Sequence, residues 1–118
     1  NATVQKDGVR ILCNLSWNSE GNQKRIATLG GIGTILTAMQ RHGGDSAVQI
    51  YGCEALSNLF FDDNNKIQIA AEGGIRSILT AMQRHDGNAH QEYGVTTLRN
   101  LSFSHENQMQ IAAKDGIG

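Results

Sequence analysis

The chain has no excess of positive charge: ten Lys and Arg stand against eleven Asp and Glu, a formal net charge of −1. Without a basic field, nothing draws it to nucleic acid or to an acidic membrane surface. Aromatic residues make up only 5% of the chain, too few for a base-stacking platform. No apolar run approaches the roughly 18 residues that a membrane span requires, and the first residues lack a signal-peptide pattern. No run alternates over strand length, so no sheet is expected. The two cysteines, Cys13 and Cys53, fall at different helical phases, which argues for buried thiols in a reducing compartment rather than a disulfide.

Catalytic and metal chemistry is equally short of residues. No Ser/His/Asp or Cys/His set converges by spacing, and the phosphate-loop signature is missing. His42 and His85 occupy equivalent places in two copies of one segment, while His90 and His105 are too far apart along a helix to share an ion. The reading is therefore no enzyme, no metal and no cofactor. Three glycosylation sequons begin at Asn1, Asn14 and Asn100, the last two inside expected helices, where they carry little weight.

What is present is repetition. Gly30 to His42 and Gly73 to His85 are identical at eleven of thirteen positions, differing only at Gly33/Arg76 and Thr34/Ser77. The offset is 43 residues, and Asp115-Gly116-Ile117 opens a further copy 42 residues on. A period in the forties indicates stacked helical units, which present long surfaces and seldom enclose a catalytic pocket.

Three helices fit each period. Leu12/Leu15, Leu56/Leu59 and Leu98/Leu101 are i, i+3 pairs that, with Val9, Cys53 and Val95, mark one apolar stripe on each long helix. Gly8, Gly52 and Gly94 recur at one phase of it, which suggests close helix packing rather than a break. Trp17, Phe61 and Phe103 read as core residues closing each long helix. Short helices are expected over Asn22–Leu29, Asn65–Glu72 and Asn107–Lys114, with Asn22, Asn65 and Asn107 as caps. Middle helices are expected over Gly31–His42 and Gly74–His85, burying Ile32, Ile35, Leu36 and Met39 and their counterparts Ile75, Ile78, Leu79 and Met82. Residues 1–17 then hold one long helix, 18–61 and 62–103 are whole units, and 104–118 begin another. The expected shape is a stack of helices about 8–10 Å apart, at this length a short curved slab, and Val4, Val9, Leu12, Ile111 and Ile117 are expected to be partly bare at its ends.

The motifs Ile11-Leu12-Cys13-Asn14-Leu15-Ser16, Ala55-Leu56-Ser57-Asn58-Leu59-Phe60 and Thr97-Leu98-Arg99-Asn100-Leu101-Ser102, together with the Gly-Gly-Ile-x-x-Ile-Leu segments, resemble the armadillo repeat family over essentially the whole chain. The resemblance implies an all-α, right-handed superhelix of the importin-alpha and beta-catenin type. Its long third helices would line a concave groove, where Asn14, Asn58 and Asn100 would bond the backbone of an extended partner peptide.

An amide suits that task because it offers one acceptor and two donors together. Residues sharing its helix face are Lys6, Asp7 and Arg10 in the first copy, Ile50, Tyr51 and Glu54 in the second, and Glu92, Tyr93 and Thr96 in the third. Of these, Arg10, Glu54, Thr96, Tyr51 and Tyr93 are the candidate peptide contacts beside the asparagines. The opposing reading is that each Asn bonds an adjacent helix and only orders the stack, with the tyrosines as half-buried packing. The expected function is a protein-interaction scaffold in the cytoplasm or nucleus, with protein or peptide partners and no small-molecule substrate. Alternatives are a regulatory array attached to a kinase or ubiquitin ligase domain, and a nuclear-import adaptor. The adaptor arrays carry Trp four residues before the motif Asn, where this chain has Arg10, Glu54 and Thr96.

Overall fold

Ser19 and Asp62 start the two short helices. The Ser19 hydroxyl accepts from the Asn22 N–H at 3.3 Å, and the Asp62 carboxylate from the Asn64 N–H at 2.8 Å. Each thereby satisfies a donor that a helix N-terminus leaves open. The short helices therefore begin two residues before Asn22 and Asn65, which are not the caps expected of them. The computed structural model describes residues 2–59, 62–85 and 87–101. Among them run α1 (Ala2–Ser16), α2 (Glu20–Thr28), α3 (Gly31–Arg41), α4 (Ser46–Asn58), α5 (Asp63–Ala71), α6 (Gly74–Arg84) and α7 (Asn88–Leu101), with no strand. The third short segment, the third Gly-Ile pair, Phe61, Phe103, His105, Ile111 and Ile117 lie outside the described residues, as do the side chains of His90, Tyr93 and Asn100.

The chain contains no proline, so glycine makes the sharp turns. Gly30 and Gly73, between short and middle helices, have φ of 87° and 94°, which glycine adopts without steric cost. The next glycine is needed for space. A Cβ on Gly31 would lie 2.7 Å from the Ile26 carbonyl oxygen, and one on Gly74 would lie 2.7 Å from that of Ile69. The Gly-Gly pair thus lets a middle helix leave its short helix at once, twice over.

Among the long helices, α4 packs between α1 and α7, while α3 lies on α4 and α6 on α7. Ile32, Ile35, Leu36, Met39, Ile75 and Ile78 are buried as the periodicity requires, with Leu79 and Met82 partly buried against the same core. Gly52 is where α3 presses on α4, since a Cβ there would lie 2.6 Å from both Cγ and Sδ of Met39. Gly94 stands in the same relation to Met82, and Gly8 faces open space.

The apolar stripe behaves differently from copy to copy. Cys53 and Leu56 on α4, and Leu59 just past its end, are fully buried. On α1, Val9 is buried at 2% exposure, contrary to the expectation of a bare Val9, but Leu15 is 51% exposed. Val95 of α7 is also exposed. Trp17 is 67% exposed and closes no core. The difference is positional: Val48 and Ala55 of α4 and Leu59 just past it are covered, whereas no described helix lies before α1 as α3 lies before α4, and the equivalents Val4, Ile11 and Leu15 are exposed.

The molecule measures 38 × 31 × 21 Å with a radius of gyration of 13.0 Å. A compact domain of this length has about 13.5 Å, so the three long helices side by side make a compact slab.

Gly8 and Gly52 hold the same repeat position in different surroundings, and alanine should separate them. Gly8→Ala should stabilise the fold by about 0.5–1 kcal/mol through helix propensity. Gly52→Ala should be the less stable variant by about 1–3 kcal/mol, the usual cost of overpacking. Urea unfolding of the two variants measures the difference.

Candidate functional site

The motif asparagines fall on adjacent helices, and the structure separates their roles. Asn58 is half-buried. Its Nδ2 donates to the Cys13 carbonyl at 3.0 Å and to the Ser16 Oγ at 3.3 Å, both on α1. Ser16 is fully buried and donates its own hydroxyl to the same Cys13 carbonyl at 3.0 Å. A single carbonyl near the end of α1 is therefore closed by its own helix and by α4. The Asn58 Oδ1 receives no donor among the described residues. Asn14, one residue beyond that carbonyl, is exposed, and its side chain makes no hydrogen bond among the described residues.

The other candidate contacts are spread over α1, α4 and α7. Arg10 is exposed and reaches Asp7 at 3.4 Å, a surface pair of little energetic weight. Thr96 and Glu92 are exposed on α7. Lys6 and Ile50 are half-buried. Tyr51 is half-buried and packs against Val9, Ala38 and Val48, so part of its ring belongs to the core between α1, α3 and α4. Glu54 faces the Cys13 thiol. Asn14 and Thr96 are thus free of the packing, whereas Asn58, Tyr51 and Glu54 share in it.

The ends of the helices show what the Asn58 contact belongs to. The last four carbonyls of a helix have no partner within it. At the end of α1, Asn22 Nδ2 donates to the Leu15 carbonyl at 2.8 Å and Gln23 Nε2 to the Ser16 carbonyl at 2.8 Å. Asn65 Nδ2 donates to the Leu59 carbonyl, just past α4, at 3.0 Å. Gln49 Nε2 donates to the Met39 and His42 carbonyls, each at 3.0 Å. Gln91 Nε2 repeats this on Met82 and His85, at 2.9 and 3.2 Å. His85 Nε2 lies 2.8 Å from the Gly43 carbonyl, which requires its proton on that nitrogen. Sequence reasoning missed Gln23, Gln49 and Gln91 altogether. The signal for the last two was an amide repeated 42 residues apart in the first turn of a long helix.

Cys13 and Cys53 are free and buried. Burial pushes the Cys13 thiol up to about 12, reinforced by the charge of Glu54 and a hydrogen bond to it and opposed by Asn58. Burial alone raises Cys53 to about 12. Thiolate, the reactive form, is therefore suppressed at both. No three His, Cys, Asp or Glu side chains among the described residues converge as metal ligands, and no described helix is long and apolar enough to cross a membrane.

The chain matches no known protein family, no curated protein and no solved structure.

Two outcomes follow. Asn58→Ala removes one of the two donors on the Cys13 carbonyl, Ser16 keeping the other, and should cost about 0.5–1.5 kcal/mol of stability, while Asn14→Ala should stay within about 0.5 kcal/mol of the parent; thermal and urea unfolding decide both. The thiols bind protons more tightly when folded, so stability should be undiminished below pH 9.0 and fall as pH rises from there toward about 12. Replacing both cysteines with alanine should flatten that alkaline decline.

Proposed function

We propose that the chain is a run of armadillo-type repeats, the beginning of a right-handed superhelix, and that it holds extended segments of partner proteins across α1, α4 and α7. The observation that carries this reading is the juxtaposition of three long helices, neighbour to neighbour, with Arg10, Asn14 and Thr96 left exposed on them. Asn14 offers a complete amide with no internal partner among the described residues. Asn58 has its amino group committed to α1 and keeps only its carbonyl oxygen for a peptide N–H. The ladder is therefore uneven: Asn14 is a reader of peptide backbone, and Asn58 is first a tie between helices. Tyr51 and Glu54 border the face and bias which side chains fit. Free, buried thiols accord with a location in the cytoplasm or nucleus.

Such a face binds weakly by itself. A few net hydrogen bonds at about 1 kcal/mol each, set against an association cost of at least about 4 kcal/mol, leave millimolar affinity before side-chain pockets contribute.

NMR titration of the chain with short extended peptides of differing charge tests the reading. Amides of α1, α4 and α7 should shift. Asn14→Ala should weaken every binding peptide by about 0.5–1.5 kcal/mol regardless of its sequence. Arg10→Ala should change the ranking of acidic against basic peptides. Peptide binding indifferent to Asn14, Arg10 and Thr96 substitution would remove the long helices as the binding face.

A further inference from the structure

A cleft of about 340 Å³ opens between the middle helices, away from the exposed residues of the long-helix face. Met39, Gln40 and Gly43 line it from α3 and the turn after it, Gln49 from α4, and Arg76, Ser77, Thr80, Ala81 and Arg84 from α6. The lining holds two guanidinium groups and no carboxylate. Arg76, Thr80 and Arg84 are spaced by four residues, so they rise along one face of α6 over about 12 Å.

Three observations set this cleft apart from ordinary solvated surface. First, the other described cations with ion pairs are matched locally: Arg10 with Asp7, Lys24 with Glu20, and Lys66 with Asp63. Arg76 and Arg84, like Lys6, Arg25 and Arg41, have no carboxylate within ion-pair reach among the described residues, but these two line one cleft together. Glu72 stands over Gly33, where a Cβ would lie 3.2 Å from its Oε1, but it is outside the lining and does not pair with Arg76. Second, Thr80 makes no bond back to its own helix among the described residues, in contrast to Thr28 and Thr34, whose hydroxyls bond Lys24 and Gly30 carbonyls at 2.8 and 3.2 Å. Third, the two nearly identical segments differ at Gly33/Arg76, and the departure places one of these guanidinium groups. Gln49, buried at the side of the cleft, has its amino group fixed on two carbonyls, which holds that wall in place.

We propose that this cleft binds a phosphate group, held between the Arg76 and Arg84 guanidinium groups with the Thr80 hydroxyl as a further donor. Planar guanidinium forks suit a tetrahedral dianion, to which they can each give two charge-assisted hydrogen bonds. The volume, at the small end for ligand sites, matches a phosphate or phosphorylated side chain rather than a large cofactor. The group arrives either as a small phosphate ion or ester, or on a phosphorylated residue of a partner.

The test is NMR titration of the whole chain at constant ionic strength, with inorganic phosphate in one arm and a short peptide carrying one phosphoserine in the other. Saturable shifts should appear at residues 40–44 and 76–84. Arg76→Gln and Arg84→Gln should each weaken binding at least about tenfold, while Arg25→Gln, on exposed α2 outside the cleft, should leave it unchanged. Circular dichroism verifies that all three variants keep their helices. Tighter binding of the phosphopeptide assigns the cleft to a partner's modified side chain, and binding of phosphate at least as tight assigns it to a small anion. Shifts that fail to saturate, or that are the same in Arg76→Gln and Arg25→Gln, would overturn the proposal. Loss of peptide binding on the long helices would not, because different residues carry it.

Discussion

Side-chain amides that close the carbonyl ends of neighbouring helices are the interaction on which the rest of the structure depends. A chain made of short helices ends often, and each end leaves carbonyls without partners inside the helix. Here Asn22, Gln23, Gln49, Asn58, Asn65 and Gln91 supply the missing donors, each from a following helix. Because the donor and the carbonyl belong to different helices, closing an end also sets the angle and register at which the next helix leaves. A buried carbonyl left open would cost about 1–3 kcal/mol, a large fraction of the stability of a domain this small.

Glycine makes that arrangement sterically possible. Positive φ at Gly30 and Gly73 reverses the chain between short and middle helices, and Gly52 and Gly94 let the middle helices settle onto the long ones. The same brief approach distances bring Gln49 and Gln91 within reach of two carbonyls each. The closure does not involve the exposed side chains of Asn14, Arg10 and Thr96 on the long helices, or of Arg76, Thr80 and Arg84 on α6.

Much of this was legible in the sequence, for physical reasons. A near-identical segment at an offset of 43 residues forces the same helix twice, so α3 and α6 lie within one residue of their expected ends. The close-packing role of Gly52 and Gly94 followed from their phase. The starts of α2 and α5 were misplaced because Ser19 and Asp62 are different residue types at equivalent positions, so repetition did not mark them. Trp17 and Leu15 were read as core because a periodic stripe says which face is apolar, not whether another helix covers it. At the candidate site, the resemblance implied that Asn14, Asn58 and Asn100 share one groove. Spacing could not say that Asn58 turns its amino group onto Cys13, because that depends on how close α4 lies to α1. The cleft beside Arg76 was invisible for the same reason: it is formed between helices.

Gln49 offers the most direct measurement, since its one amino group closes two carbonyls. Gln49→Met keeps the length of the side chain and removes the donors. Urea unfolding of this variant should show a loss of about 2–3 kcal/mol, with the α3–α4 turn exchanging its amide hydrogens faster. Gln83→Met, on the exposed face of α6, should unfold like the parent. A Gln49→Met protein as stable as the parent would mean that packing alone sets the helix geometry and that the amide closure is incidental to it.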